Sequence, residues 1–87
     1  MLRITILTEG SSLIRLKLEG RIVLDWVALL EHECLESLRT GHTVVLDFAA
    51  VTFVDCAGAA MLRKMTDGLQ IVNVSPLVED LLRECDQ

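Results

Sequence analysis

Aromatic residues and proline are nearly absent from this sequence, which has two Phe, one Trp, no Tyr and one Pro in 87 residues. With five glycines and one proline, the chain is neither collagen-like nor of low complexity. The hydrophobic share of 52% is too high for a disordered segment, so we expect a core that is mainly aliphatic. The length predicts a single domain over residues 1–87.

Basic residues are also few, with 8 Lys and Arg against 13 Asp and Glu, and the net charge is −5. They are scattered along the chain, and only Arg63 and Lys64 are adjacent. Because nucleic acids and anionic headgroups are bound by clustered positive charge, we expect neither as a partner. No uncharged apolar run approaches about 18 residues, and residues 1–8 do not read as a signal peptide. We therefore expect no membrane insertion and a cytoplasmic location.

The three cysteines, Cys34, Cys56 and Cys85, are odd in number and form no Cys-x-x-Cys pair. His32 lies two residues before Cys34, but no second cluster supplies further ligands, so we expect no disulfide framework, no metal and no cofactor. Cys56 precedes a predicted helix, where a thiolate is favoured. A phosphatase-like loop requires five residues between Cys and Arg, whereas six separate Cys56 from Arg63. We interpret Cys56 as a small residue in a tight turn and expect no enzymatic activity.

Hydrophobic periodicity predicts the secondary structure. Alternation in the first 18 residues predicts an antiparallel hairpin, with a turn at residues 9–11 and a short third strand after Gly20. A helical stripe follows Asp25, which we assign as its N-cap. The remaining elements are a strand at 43–46, a connection at 49–55, a helix at 56–66, a strand at 69–74 and a helix starting at Ser75-Pro76. The order β-β-(β)-α-β-α-β-α predicts an α/β fold with a mixed sheet of about four strands and three helices.

Residues 44–58, VVLDFAAVTFVDCAG, resemble the STAS domain family of sulphate transporters and anti-sigma factor antagonists. In that family the stretch runs from a hydrophobic strand through Asp-Leu or Asp-Phe to an Asp-Ser-x-Gly turn. Three more pieces fit in order: residues 18–25, 71–76 and 78–82. The resemblance covers nearly the whole chain and implies a STAS-type fold and a protein-binding module.

The resemblance also implies a regulatory position. The bacterial antagonists of the family bind an anti-sigma serine kinase, which phosphorylates a Ser immediately before the Gly of the motif. That position corresponds to Ala57 here, before Gly58, and alanine cannot be phosphorylated. Cys56 occupies the neighbouring position, where many relatives have Ser. We therefore expect a docking module without the phosphorylation switch.

Asp55 and Gly58 bracket the loop before the second predicted helix. We expect Asp55 to cap that helix, and Gly58 to allow either a positive φ or a close approach of the backbone. We expect the partner to dock on this loop and the first turns of the helix after it. The predicted docking residues are Asp25, Asp55, Cys56, Ala57, Gly58, Ala59, Met61, Leu62 and Arg63. The first hypothesis is an anti-sigma serine kinase as partner, which places the protein in transcription regulation. The alternative is a small cytoplasmic STAS subunit of an ABC-type lipid transporter, bound to ATPase or permease subunits, which needs no phosphorylatable Ser. The sequence leaves open whether the protein also forms a homo-oligomer.

Overall fold

A strand hairpin is followed by alternating helices and strands in a computed structural model that describes residues 2–8, 10, 12–65 and 69–84. The expected turn residues Glu9 and Ser11, the helix end at Thr66 and Cys85 lie outside the described residues. The elements are β1 (Leu2–Thr8), β2 (Leu13–Ile22), α1 (Asp25–Arg39), β3 (Thr43–Val54), α2 (Cys56–Lys64), β4 (Leu69–Val72) and α3 (Pro76–Glu84).

The strands form one sheet in the order β1-β2-β3-β4, with β1 antiparallel to β2 and the other neighbours parallel. All three helices lie on one face of this sheet, because Leu30 of α1, Ala59 of α2 and Val78 of α3 share one buried cluster. The opposite face has no helix over it among the described residues. This architecture confirms the predicted α/β class and mixed sheet.

The core is aliphatic, as the scarcity of aromatic residues predicts, and its largest fully buried side chain is Phe48. Alternate residues of β2 enter the core at Leu16 and Leu18. Helix α1 contributes Leu30 and Cys34, both completely buried. Leu35, which the helical periodicity also assigns to the apolar stripe, is 51% exposed instead. The buried stripe of α1 is therefore narrower than predicted.

Two strands are longer than the sequence indicates. β2 continues through Gly20 to Ile22, so the predicted third strand is part of β2. β3 continues beyond Asp47 to Val54 and includes most of the predicted connection. Shifts in the β2–β3 register after Lys17 and after Gly20 let both strands bend and remain paired, and Gly20 allows this because it adopts φ +107°.

The buried Cys34 thiol provides a test of the core. Burial raises its pKa from 9.0 to about 12, because the thiolate is poorly solvated there, and Glu33 and Glu31 add to this effect. Unfolding releases the thiol to its ordinary pKa, so we expect stability to fall as the pH rises from about 9 towards 12. Urea unfolding at several pH values measures this loss. If stability falls as steeply with pH in Cys34→Ala as in the wild type, the Cys34 thiol is not the cause of the loss.

Candidate functional site

The parallel strands β2, β3 and β4 end at the same edge of the sheet, and a helix begins shortly after each of them. We call this region, which comprises residues 23–26, 55–58 and 73–77, the carboxyl edge. It contains the predicted docking loop. Loops at such an edge stand on a rigid scaffold and are common binding sites in α/β proteins.

Asp55 connects two of these loops. Its Oδ1 accepts a hydrogen bond from the Gly58 backbone N–H at 2.7 Å, which confirms the predicted N-cap of α2. Its Oδ2 accepts the Leu24 N–H at 3.1 Å, from the loop before α1. Its own N–H donates to the Ile22 carbonyl at 3.1 Å. A single carboxylate therefore starts α2 and holds the preceding loop in place.

Asp25 does not cap α1, contrary to the sequence prediction. The structure makes Asp25 the first residue of the helix and Leu24 the cap residue, with no side-chain cap hydrogen bond. A negative charge in the first turn still suits the positive end of the helix dipole. The hydrophobic pattern did not distinguish these roles, because α1 begins at Asp25, one residue earlier than the pattern predicts. Asp25 nevertheless lies at the carboxyl edge, next to the loop that Asp55 holds.

Leu24 adopts an unusual backbone conformation. Its φ is +51° and its ψ is −127°, and the Trp26 N–H bonds to the Val23 carbonyl at 3.0 Å around it. This is the first central position of a type II′ turn, which normally takes glycine. A leucine there costs about 1–3 kcal/mol in backbone strain. The Leu24 side chain is also 79% exposed, so burial returns none of this cost.

Gly58 is needed for close packing. A Cβ at this position would lie 3.0 Å from Val54 Cγ1, 3.1 Å from Ile22 Cγ2 and 3.2 Å from the Ile22 carbonyl oxygen. Its backbone does not adopt positive φ. Of the two reasons for a glycine here, positive φ or close approach, the structure therefore supports close approach.

The predicted docking residues separate into two groups. Cys56 and Ala57 are exposed at the start of α2. Gly58 and the residues on the inner side of α2 (Ala59, Met61 and Leu62) are buried in the core, so these four are not available to a partner in this conformation. Their burial follows from the helical period, because residues three and four positions apart lie on the one side of α2 that faces the sheet.

Arg63, the last predicted docking residue, is exposed near the other end of α2. Its guanidinium donates to the Leu82 carbonyl at 3.0 Å. This hydrogen bond connects α2 to the last turns of α3, away from the carboxyl edge. Arg63 therefore has a structural contact of its own, whatever it does towards a partner.

Two features of the carboxyl edge were not identified from the sequence. Leu24 and Leu77 are 79% and 62% exposed. Exposed apolar side chains that lie in one region are typical of partner surfaces. Hydrophobic periodicity assigns both Leu77 and Val78 to the apolar stripe of the last helix, whereas in the structure Val78 is buried and Leu77 is exposed.

Cys56 is disulfide-bonded in this structure. It therefore has no free thiol for the nucleophilic chemistry that a cysteine before a helix allows. The sequence predicts no disulfide framework, so the structure differs from that expectation at this residue; spacing alone does not indicate which sulfurs meet in space. No group of three or more His, Cys, Asp or Glu side chains in the described ranges could hold a metal ion. None of the helices among those residues is long and apolar enough to span a bilayer.

Comparison with known proteins agrees with this architecture. The chain is similar to the anti-sigma factor antagonist SpoIIAA, solved in its unphosphorylated form, with a TM-score of 0.79 and 14% sequence identity. The match covers 94% of this chain and 79% of that one, and at this identity it shows the fold alone. A search of the curated proteins finds no match. Residues 7–86 match the family model described as "Mlab, STAS domain", which spans almost all of the sequence, and the protein therefore belongs to the STAS domain family.

Proposed function

We propose that the protein is a non-enzymatic binding module that docks on a protein partner through the exposed residues of its carboxyl edge. The docking surface consists of Leu24, Asp25, Cys56, Ala57 and Leu77. The first candidate partner is an anti-sigma factor of the serine-kinase type, because the fold is similar to that of an anti-sigma factor antagonist.

The observation that carries this proposal is the conformation of Leu24. Folding gains nothing from this side chain, which is 79% exposed at φ +51° in a turn that glycine fits better. Strained residues are retained where a function needs them. A leucine that projects from a strained turn, held in place by Asp55, is suited to enter an apolar pocket of a partner.

Replacement of Leu24 by glycine tests the proposal. We expect Leu24→Gly to stay folded within about 1 kcal/mol of the wild type, because relief of strain offsets the larger entropy of the unfolded glycine chain. We expect the same variant to lose partner capture in a pull-down from the native organism. Leu35→Ala is the matched control, since Leu35 is 51% exposed on α1 but lies outside the carboxyl edge. Equal capture by both variants would show that this surface is wrong.

The identity of the captured protein distinguishes the two candidate partners. An ATP-binding serine kinase places the protein in sigma-factor control as an antagonist without a switch. Transporter ATPase or permease subunits make it the cytoplasmic subunit of an ABC-type lipid transporter. The second candidate is favoured by Ala57, because a structural subunit of this kind needs no phosphorylatable residue at that position.

A serine at position 57 tests the regulatory difference. Ala57 is exposed in the first turn of α2, where backbone N–H groups and the helix dipole favour a phosphate. With a serine-kinase partner and ATP, we expect phosphate in residues 52–60 of Ala57→Ser and none in the wild type, by mass spectrometry. Thr52 is the one hydroxyl in that stretch of the wild type, and it donates to the Gly20 carbonyl at 3.2 Å. Phosphate on Thr52 would contradict the expected loss of the switch.

A further inference from the structure

The sheet face opposite the helices collects positive charge. Among the described residues, this open face carries four basic side chains: Arg3 of β1 and Arg15, Lys17 and Arg21 of β2. It carries two acidic side chains, Glu19 and Asp47. The open face carries a net charge of +2 in a chain whose net charge is −5. The basic residues are scattered in sequence, but alternate residues of one strand share a face. Arg15 and Lys17 are therefore about 7 Å apart, and Lys17 and Arg21 about 13 Å apart with Glu19 between them.

The acidic residue at the centre of this face is already engaged. Asp47 accepts hydrogen bonds from the Ala49 N–H at 3.0 Å and from Asn73 Nδ2 at 3.1 Å. Arg15 approaches its other oxygen at 3.6 Å. These hydrogen bonds, followed by the charges of Arg15 and Lys17, hold the pKa of Asp47 below its ordinary value. Asp47 is therefore an anion within a local network.

Lys17 and Arg21 differ from Arg15. Both are exposed, and neither forms an ion pair with another of the residues that the structure describes. In the strand register Lys17 lies between Thr5 and Asp47, and Arg21 lies beside Phe53. Their charges are directed to solvent on a face over which the described residues place no helix, and both side chains can pair with carboxylates of another molecule.

A shallow groove adjoins Arg21. It has a volume of about 380 Å³ and is lined by Arg21, Thr52 and Phe53. Phe53 is 40% exposed there, so the groove presents an aromatic ring beside a guanidinium. Such a site accommodates an apolar side chain that is flanked by carboxylates.

We propose that the open face binds an acidic protein segment that carries one apolar side chain. Its carboxylates pair with Lys17 and Arg21, and its apolar side chain enters the groove beside Phe53. Four cations are few for a nucleic acid, which is repelled by the net charge of −5. A second copy of the chain is disfavoured because most of its acidic residues lie on the helices of the opposite face, so that such pairing is head-to-tail and not through one shared surface. This proposal is independent of the carboxyl-edge docking.

The probe is a synthetic peptide of eight Glu residues around a central Phe, added to the ¹⁵N-labelled protein and followed by NMR. We expect saturable shifts at the amides of 15–21 and 52–53, weaker at 500 mM than at 50 mM salt. In Lys17→Gln/Arg21→Gln we expect the dissociation constant of the peptide to rise by up to about fivefold, as for the loss of two exposed ion pairs. The matched control is Arg39→Gln/Lys64→Gln, which removes the same charge from exposed helix positions and leaves binding unchanged.

Three results overturn the proposal. Shifts that do not saturate, or that both double variants weaken equally, remove the open face as a specific site. A polythymidine or anionic-vesicle probe that binds the same amides more tightly than the peptide assigns the face to another ligand. Self-association that Lys17→Gln/Arg21→Gln abolishes, measured by sedimentation, assigns it to a second copy of the chain.

Discussion

Replacement of Gly58 by valine is expected to lower the free energy of unfolding by about 3 kcal/mol, a large part of the stability of so small a domain. The new side chain meets Val54, Ile22 and the Ile22 carbonyl at 3.0–3.2 Å. That carbonyl also accepts the Asp55 N–H, so it cannot move away without weakening the start of α2. Urea denaturation measures the loss.

Two variants define the origin of this effect. Ala57→Val places the same side chain on the exposed side of the same turn, and we expect it to cost below about 1 kcal/mol, the helix propensity of valine. Gly58→Ala is expected to lie between them, because the contacts of its Cβ are partly offset by a gain of about 1 kcal/mol in helix propensity. If Gly58→Val costs no more than Ala57→Val, the close packing around Gly58 is wrong.

Replacement of Asp55 by alanine is expected to cost about 2 kcal/mol, because it removes an N-cap and a second hydrogen bond. The two bonds reach the Gly58 and Leu24 N–H groups from different carboxylate oxygens. Asp55→Asn keeps one accepting oxygen, so we expect about half of the loss. Thermal or urea unfolding of the wild type, Asp55→Asn and Asp55→Ala measures this order of decreasing stability.

The matched control for Asp55 is Asp25→Ala. Sequence reasoning assigns an N-cap to both residues, whereas the structure gives a cap hydrogen bond to Asp55 alone. We expect Asp25→Ala to cost below about 1 kcal/mol, the usual value of a charge near a helix N-terminus. Equal losses in Asp25→Ala and Asp55→Ala would show that the two residues have the same role and that the assignment of α1 is wrong.

Much of the fold follows from local patterns. Alternation predicted β1 and the first part of β2, and the helical period predicted α1. Ser75 accepts the Val78 N–H at 3.2 Å, so the Ser-Pro signal correctly marked the start of α3. Asp55, directly before the second predicted helix, was correctly expected to cap α2. These features are readable because each depends on residues only a few positions apart.

The sequence by itself determined the class of fold, the strands and helices, the cap at Asp55 and the absence of a hydroxyl at Ala57. Only the tertiary structure decided which side of α2 is buried, how far β2 and β3 extend, and that Leu24 projects from a strained turn. It also decided that Lys17 and Arg21 share an open face beside Phe53. The physical reason is that bulges, register and burial depend on contacts between distant segments, which local hydrophobic periodicity does not encode.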